Sequence, residues 1–258
     1  MTRRVVVTGA GGGIGAALAR RFAADGARVI VSDLNAPAAR QIAAEVGGLA
    51  VAADAANEDD TRRLIETAFA ELGGVDLFCS NAGVLTAGDE NTPDEAWQRD
   101  FSVNVMSHVY VTRHLLPRWL DQGSHRLLVT VSAAGLLSIL GSASYAVTKH
   151  AALAYAEWLR ATYAHRGLIV QALCPQGVRT DMLTRGNERD SASARLLAEG
   201  ALEPAEVAEV AAKAIEGESF LILPHPEVAD YYKLRATDTD RWLGGMNKIQ
   251  RAFEGDRA

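Results

Sequence analysis

The first apolar run, Val5-Val6-Val7, is short, β-branched and uninterrupted, and it gives way to the glycine-rich stretch T-G-A-G-G-G-I-G from Thr8 to Gly15. Such a run predicts a strand buried on both faces. Beyond the glycines, Ile14, Leu18 and Phe22 recur at helical spacing as far as Ala24, and a second strand-like run, Ala27 to Ser32, ends at Asp33. The alternation then repeats. Leu49 to Ala53 predicts a strand ending at Asp54; Asp59 to Leu72 predicts a helix with Leu64, Ile65, Ala68 and Leu72 on one side; Val75 to Ser80 predicts a strand closed by Asn81-Ala82-Gly83. Pro93 to Leu120 reads as helix, opened by Pro93 and bent or interrupted at Pro117. Arg126 to Ser132, Leu168 to Cys174 and Phe220 to Leu223 read as the fifth to seventh strands, with a long helix over Ser144 to Ala164. Strands separated by helices pair in parallel through right-handed crossovers. The expected fold is a single α/β domain over residues 1–258, a doubly wound parallel sheet of about seven strands with helices on both faces. Its ligand site belongs beyond the C-terminal strand ends, where Gly9, Asp33, Asp54, Asn81, Ser132 and Pro175 fall.

Two stretches bring chemistry to that position. Strand, glycine turn and helix together form a phosphate-binding arrangement, because glycines let the backbone approach a pyrophosphate and the helix N-terminus offers unpaired N–H groups. Asp33, at the end of the next strand, stands where a carboxylate accepts hydrogen bonds from an adenosine ribose. A carboxylate also repels a 2′-phosphate, and neither Gly12 nor Leu34 supplies a base to receive one, so NAD is expected in preference to NADP. The second stretch runs from Ser132 to Lys149. In a helix Tyr145 and Lys149 are one turn apart and share a face. A cation there is expected to lower the phenol pKa from its ordinary value of about 10, and Ser132 could hydrogen-bond the oxygen on which the tyrosine acts.

Composition excludes more than it adds. The net charge is -6 and the 26 basic residues are scattered, so no nucleic-acid partner is expected. Cys79 and Cys174 lie in apolar runs and read as core thiols, in keeping with a reducing compartment, and the six histidines show no metal-binding spacing, so no metal site is assigned. Arg3-Arg4 before three valines imitates a signal peptide, but the run breaks into glycines too soon for one. With no apolar run of membrane-spanning length, a soluble cytoplasmic protein is expected.

In their order these residues resemble the short-chain dehydrogenase/reductase family, with its Rossmann-like fold, over nearly the whole chain to about Met182. The T-G-x-x-x-G-x-G pattern falls on Thr8, Gly9, Gly13 and Gly15, the strand-end acid on Asp33, and the adenine-side acid on Asp54. The N-A-G motif is Asn81, Ala82 and Gly83, the helix asparagine is Asn104, the serine is Ser132, and Y-x-x-x-K is Tyr145 with Lys149. The resemblance implies a hydride-transferring oxidoreductase with Tyr145 as general acid or base, Ser132 polarising the substrate oxygen, Lys149 holding the nicotinamide ribose and Asn104 keeping a relay water. It also implies cofactor contacts from Ile14, Leu34, Ala55, Pro175, Gly177, Val178 and Thr180. Two departures stand out: Ser80 replaces the first of a doubled asparagine, and Gln176 follows Pro175 where the family has glycine.

Substrate signals are apolar. Leu136, Leu137, Ile139 and Leu140 precede the tyrosine, and Met182 and Leu183 open a variable loop over about 179–202, so a hydrophobic secondary alcohol or ketone is expected, touched by Gln176, Leu140 and Leu183. A helical tail over about 224–258, rich in Tyr231, Tyr232, Leu234, Trp242, Leu243 and Met246, replaces the family's glycine-rich ending. The helix bearing Tyr145 carries apolar residues around more of its circumference than one core face requires. With the resemblance, this predicts a homodimer or homotetramer. An NAD-binding redox sensor without turnover is the competing reading, disfavoured by the intact Ser, Tyr, Lys and Asn set. A methyltransferase would leave Tyr145 and Lys149 idle.

Overall fold

The computed structural model describes residues 2–187, 197, 198 and 200–255. Seven parallel strands form one sheet in the order β3-β2-β1-β4-β5-β6-β7: β1 Arg4–Thr8, β2 Arg28–Asp33, β3 Leu49–Ala52, β4 Leu77–Ser80, β5 His125–Thr130, β6 Leu168–Leu173 and β7 Leu221–Ile222. The valines of β1 show why its pattern is continuous rather than alternating. Val5 and Val7 enter the core on one face of the sheet and Val6 enters the core on the other, so every position is buried.

Helices α1 (Gly13–Ala24) and α2 (Ala36–Val46) cover the Val5 face, and α3 (Glu58–Leu72) covers the Val6 face. The predicted helix over Pro93 to Leu120 is divided. α4 (Asp94–Phe101) passes into a π-helical turn, Ser102–Met106, and then α5 (Ser107–Trp119). The irregularity therefore falls at Asn104 and not at Pro117, which lies inside the last turn of α5. Such π turns widen the helix locally and collect at functional sites.

A short helix α6 (Ala133–Leu136) follows β5, and the 21-residue α7 (Ala143–Tyr163) carries the tyrosine and lysine. The expected variable loop contains α8 (Asp181–Asn187); its positions 188–196 and 199 lie outside the described residues. Beyond it, α9 (Pro204–Ala214) packs beside α1 on the Val5 face. The tail forms two helices, α10 (Glu227–Thr237) and α11 (Thr239–Gly255). None of the described helices is long and apolar enough to cross a membrane.

The order in which the chain adds strands reverses between β1 and β4, and the crevice that opens there, beyond the C-terminal strand ends, is the ligand position of doubly wound folds. Side chains tie the two strands together at that point. The Thr8 hydroxyl accepts from the Asn81 and Ala82 N–H groups at 3.0 and 3.2 Å, while the Asn81 amide donates to the Thr8 carbonyl at 3.0 Å.

Candidate active site

A cavity of about 1460 Å³ opens over these strand ends. Its floor on one side is the glycine turn. Gly9 takes φ +62° against Ala82, and a Cβ at Gly15 would sit 2.2 Å from the Gly9 carbonyl oxygen, so neither position admits a side chain. Gly13 and Ile14 continue this wall into α1. Asp33 closes it. One carboxylate oxygen accepts from Gly11 N–H at 2.9 Å and the other from Asn35 N–H at 2.8 Å, which fixes the acid at the rim of the turn.

An adjoining hollow of about 170 Å³ holds three further expected residues, Leu34, Asp54 and Ala55, with Thr8 and Gly83. Asp54 is bound into its own loop, its carboxylate accepting from Ala56 N–H and its N–H donating to Asp60, both at 2.9 Å. Ser80, which stands where an asparagine was expected, also faces this hollow, and its hydroxyl pairs with buried His108 at 2.7 Å. Burial, with Lys149 nearby, pushes His108 down to about 3, so this histidine is neutral.

The catalytic candidates converge from three elements. Ser132 follows β5 and caps α6, its hydroxyl accepting from Ala134 N–H at 3.1 Å and turned toward the Pro175 carbonyl at 3.4 Å. Tyr145 and Lys149 are both buried on the inner face of α7, with the ammonium 5.6 Å from the centre of the phenol ring. Thr130 serves both halves of the site. Its carbonyl takes the Lys149 ammonium at 3.0 Å and its hydroxyl donates to Asn81 at 2.9 Å.

The electrostatics differ from the sequence expectation in one respect. Desolvation raises the Tyr145 phenol above its ordinary value, opposed by a hydrogen bond with Ser132. Burial lowers the Lys149 ammonium to about 8. Lys149 therefore does not hold the phenol down here, because loss of water outweighs an ammonium whose proton is directed at Thr130.

Asn104 lines neither cavity. It is fully buried, accepting from Val84 N–H and donating to the Val84 carbonyl, both at 2.9 Å, and donating to Thr148 at 3.1 Å. In this arrangement it joins the loop after β4 to α7, one residue before Lys149. A second tie went unseen in the sequence. Asp100 is fully buried and accepts from Thr86 and Ser144, both at 2.7 Å, so it anchors the turn of α7 that bears Tyr145. Nothing in its local pattern marks it, since it lies in a polar helix face.

The far wall is built by Pro175, Gln176, Gly177, Val178 and Thr180, then Met182 and Leu183. Gln176 borders the cavity, and its backbone N–H donates to the buried His225 ring at 3.1 Å. Leu137, Ile139 and Leu140 line the cavity, whereas Leu136 turns into the core. The tail closes the outer side with Tyr231, Leu234, Arg241, Trp242, Met246 and Ile249. Arg235 donates to the Leu136 carbonyl, which secures α10 to α6. Of these tail positions Tyr231, Leu234, Trp242 and Met246 stood out in the sequence, Arg241 and Ile249 did not, and nothing there placed any of them over the cavity.

The chain is similar to known proteins in sequence and in fold. Residues 3–191 match the family model described as short chain dehydrogenase. The chain is 41% identical over 191 residues to a 1-deoxy-11-beta-hydroxypentalenate dehydrogenase of Streptomyces exfoliatus, covering 70% of each protein. It is 30% identical over 235 residues to a cyclohexanol dehydrogenase of an Acinetobacter species, covering 87% of this chain and 92% of the other. A short-chain dehydrogenase/reductase of Burkholderia phymatum, solved in complex with NAD, superimposes with a TM-score of 0.85 at 27% identity, covering 93% of this chain and 94% of that one. By its sequence match and by its fold, this chain belongs to the short-chain dehydrogenase family.

Proposed function

We propose that the protein is an NAD-dependent dehydrogenase that interconverts an apolar secondary alcohol and its ketone, with Tyr145 as the general acid and base. The observation that carries this reading is the convergence of Ser132, Tyr145 and Lys149 on the same cavity as the glycine turn and Asp33. The cofactor, when bound, supplies or takes the hydride. Thr8, Gly9, Gly13, Ile14 and Gly15 would cradle its pyrophosphate, Asp33 and Leu34 its adenosine ribose, and Asp54 and Ala55 its adenine. Asn81, Ala82, Gly83, Pro175, Gly177, Val178 and Thr180 would flank the nicotinamide half, with Lys149 on that ribose. The close glycine approach and the acid at Asp33 support this fit, and the acid favours NAD over NADP.

The chain's own residues would then handle the proton. Ser132 hydrogen-bonds the substrate oxygen, and Tyr145 takes its proton on oxidation or returns one on reduction. Asn104 holds the relay geometry behind Lys149, and Gln176, Leu140 and Leu183 meet the substrate. The apolar lining and the relatives named for hydroxypentalenate and cyclohexanol support an apolar alcohol. A panel of secondary alcohols, followed at the nicotinamide absorbance, tests the reading. NAD is expected to support turnover with kcat/KM at least about tenfold above NADP. No turnover with either would sink the enzyme assignment, and a preference for NADP would sink the role of Asp33.

The outer face of α7 supports self-association. Val147 and Trp158 are each more than half exposed, and Tyr155 stacks on Trp158 with ring centres 6.1 Å apart. A homodimer or homotetramer through this face covers them. Light scattering at micromolar concentration is expected to give at least twice the chain mass, and a monomer mass would overturn the assembly.

A further inference from the structure

The buried histidine between Pro224 and Pro226 sits where the sheet ends and the cavity begins. Cys174 N–H donates to the Ile222 carbonyl at 2.9 Å, continuing the pairing of β6 with β7. Pro175 has no N–H, and the next one on that edge, that of Gln176, goes to a side chain instead of a backbone carbonyl: it donates to Nδ1 of His225 at 3.1 Å. The histidine is itself held, its carbonyl accepting from Val228 N–H at 3.1 Å as α10 begins.

Because Nδ1 accepts, the ring proton lies on Nε2, and that nitrogen is buried with no partner among the described residues. An apolar residue at 225 would remove this unpaired donor and leave the Gln176 N–H unpaired in its place. Each costs about 1–3 kcal/mol, so the fold exchanges one orphan for another and stability does not explain the histidine. What it decides is which N–H is held.

The peptide so held reaches Ser132 from its other end. The carbonyl of the same Pro175–Gln176 unit accepts from Ala133 N–H at 2.8 Å and faces the Ser132 hydroxyl at 3.4 Å. One rigid plane is thus gripped at both ends. The serine hydroxyl also accepts from Ala134 N–H at 3.1 Å and hydrogen-bonds Tyr145. At 3.4 Å the Pro175 carbonyl competes weakly for the serine proton, whereas a turn of the peptide that brought this oxygen closer would capture it.

We propose that His225 is a positioning residue for the reaction: by accepting from Gln176 N–H it holds the Pro175 carbonyl back from Ser132, so that the serine donates to the substrate oxygen. His225 lines neither cavity and acts only through this peptide. The proposal rests on the dehydrogenase reading and extends it to a residue outside the site.

The test compares two substitutions that keep a polar side chain. His225→Asn puts an amide oxygen close to the place of Nδ1, whereas His225→Gln carries it one bond farther, away from the Gln176 N–H. Oxidation of the best secondary alcohol with NAD is expected to lose at least about tenfold in kcat in His225→Gln, a part of the 10²–10³ that removal of a whole transition-state donor costs, and to stay within about threefold in His225→Asn. In a Ser132→Ala background the difference between the two should vanish, because the group through which His225 acts is gone. A tail that had merely loosened would keep its effect there. Equal kcat in the two variants, whether high or low, or a difference that survives Ser132→Ala, overturns the proposal. Should His225→Gln fail to fold, His225→Leu, which offers no acceptor, takes its place in the same cycle. If the unaltered protein oxidises no alcohol, the dehydrogenase reading fails instead. Nitrogen NMR of the histidine rings needs no turnover: an unprotonated Nδ1 at His225 is expected, and a protonated one overturns the contact on which the proposal stands.

Discussion

Tyr145→Phe is expected to lower kcat by about 10³-fold or more while leaving the affinity for NADH within about threefold of the original, since positioned proton transfer contributes on the order of 10²–10⁴. The phenol is buried, hydrogen-bonded with Ser132, and held at its height by a helix anchored through Asp100 and Ser144. Phenylalanine retains the packing and removes only the hydroxyl. An effect confined to kcat and kcat/KM in equal measure is the signature of an interaction made in the transition state. The measurement is steady-state oxidation of the best alcohol of the panel, with NADH binding followed separately by fluorescence. Turnover that survives within tenfold would remove Tyr145 from the chemistry.

Lys149→Met is expected to give a protein that is inactive and more stable. Burial lowers the ammonium from 10.5 to about 8, a difference worth roughly 3 kcal/mol between the two protonation states. The sign follows from proton counting. Between about pH 8 and 10.5 the unfolded chain binds a proton that the folded chain has released, so stability from this group rises with pH through that window and is lowest below it. Methionine fills similar space without the charge, removing both the cost near neutrality and the rise above pH 8. Thermal melts from pH 7 to 9.5 should show Tm increasing with pH in the original protein relative to Lys149→Met, with the variant higher at pH 7. A variant less stable at pH 7, or two parallel pH profiles, would show that Lys149 is not held at a disadvantage in the fold.

The sheet was legible because its signal is local and repeated. Each β-branched run, such as Val5 to Val7 or Arg28 to Asp33, is short enough to be a strand and is followed by helical spacing, and parallel order follows from the alternation. That Gly9, Asp33 and Tyr145 meet at one cavity was legible for the same reason, because each belongs to a motif that carries its own spacing. What escaped is what depends on long-range packing. The break near Asn104 is a π turn fixed by Val84 and Thr148, far away in sequence, whereas Pro117 drew attention by residue type alone and proved to sit within a helix. The pKa order of Tyr145 and Lys149 escaped as well, because spacing along a helix gives proximity and says nothing of water. Asp100 was invisible until Thr86 and Ser144 were seen to surround it.

The thin attachment of α11 bears on how such a protein can change over generations. Surface substitutions away from buried contacts alter folding free energy by only a few tenths of a kcal/mol. Apart from Trp242, which packs against the core, α11 buries none of its described residues, so its other positions can be rewritten with little penalty in folding. Thr130, by contrast, holds the lysine and the asparagine at once, so a change there disturbs both halves of the site. The molecule thus pairs a densely hydrogen-bonded cavity floor that resists mutation with an outer helix that tolerates it, so one wall of the cavity can drift while the opposite one stays fixed.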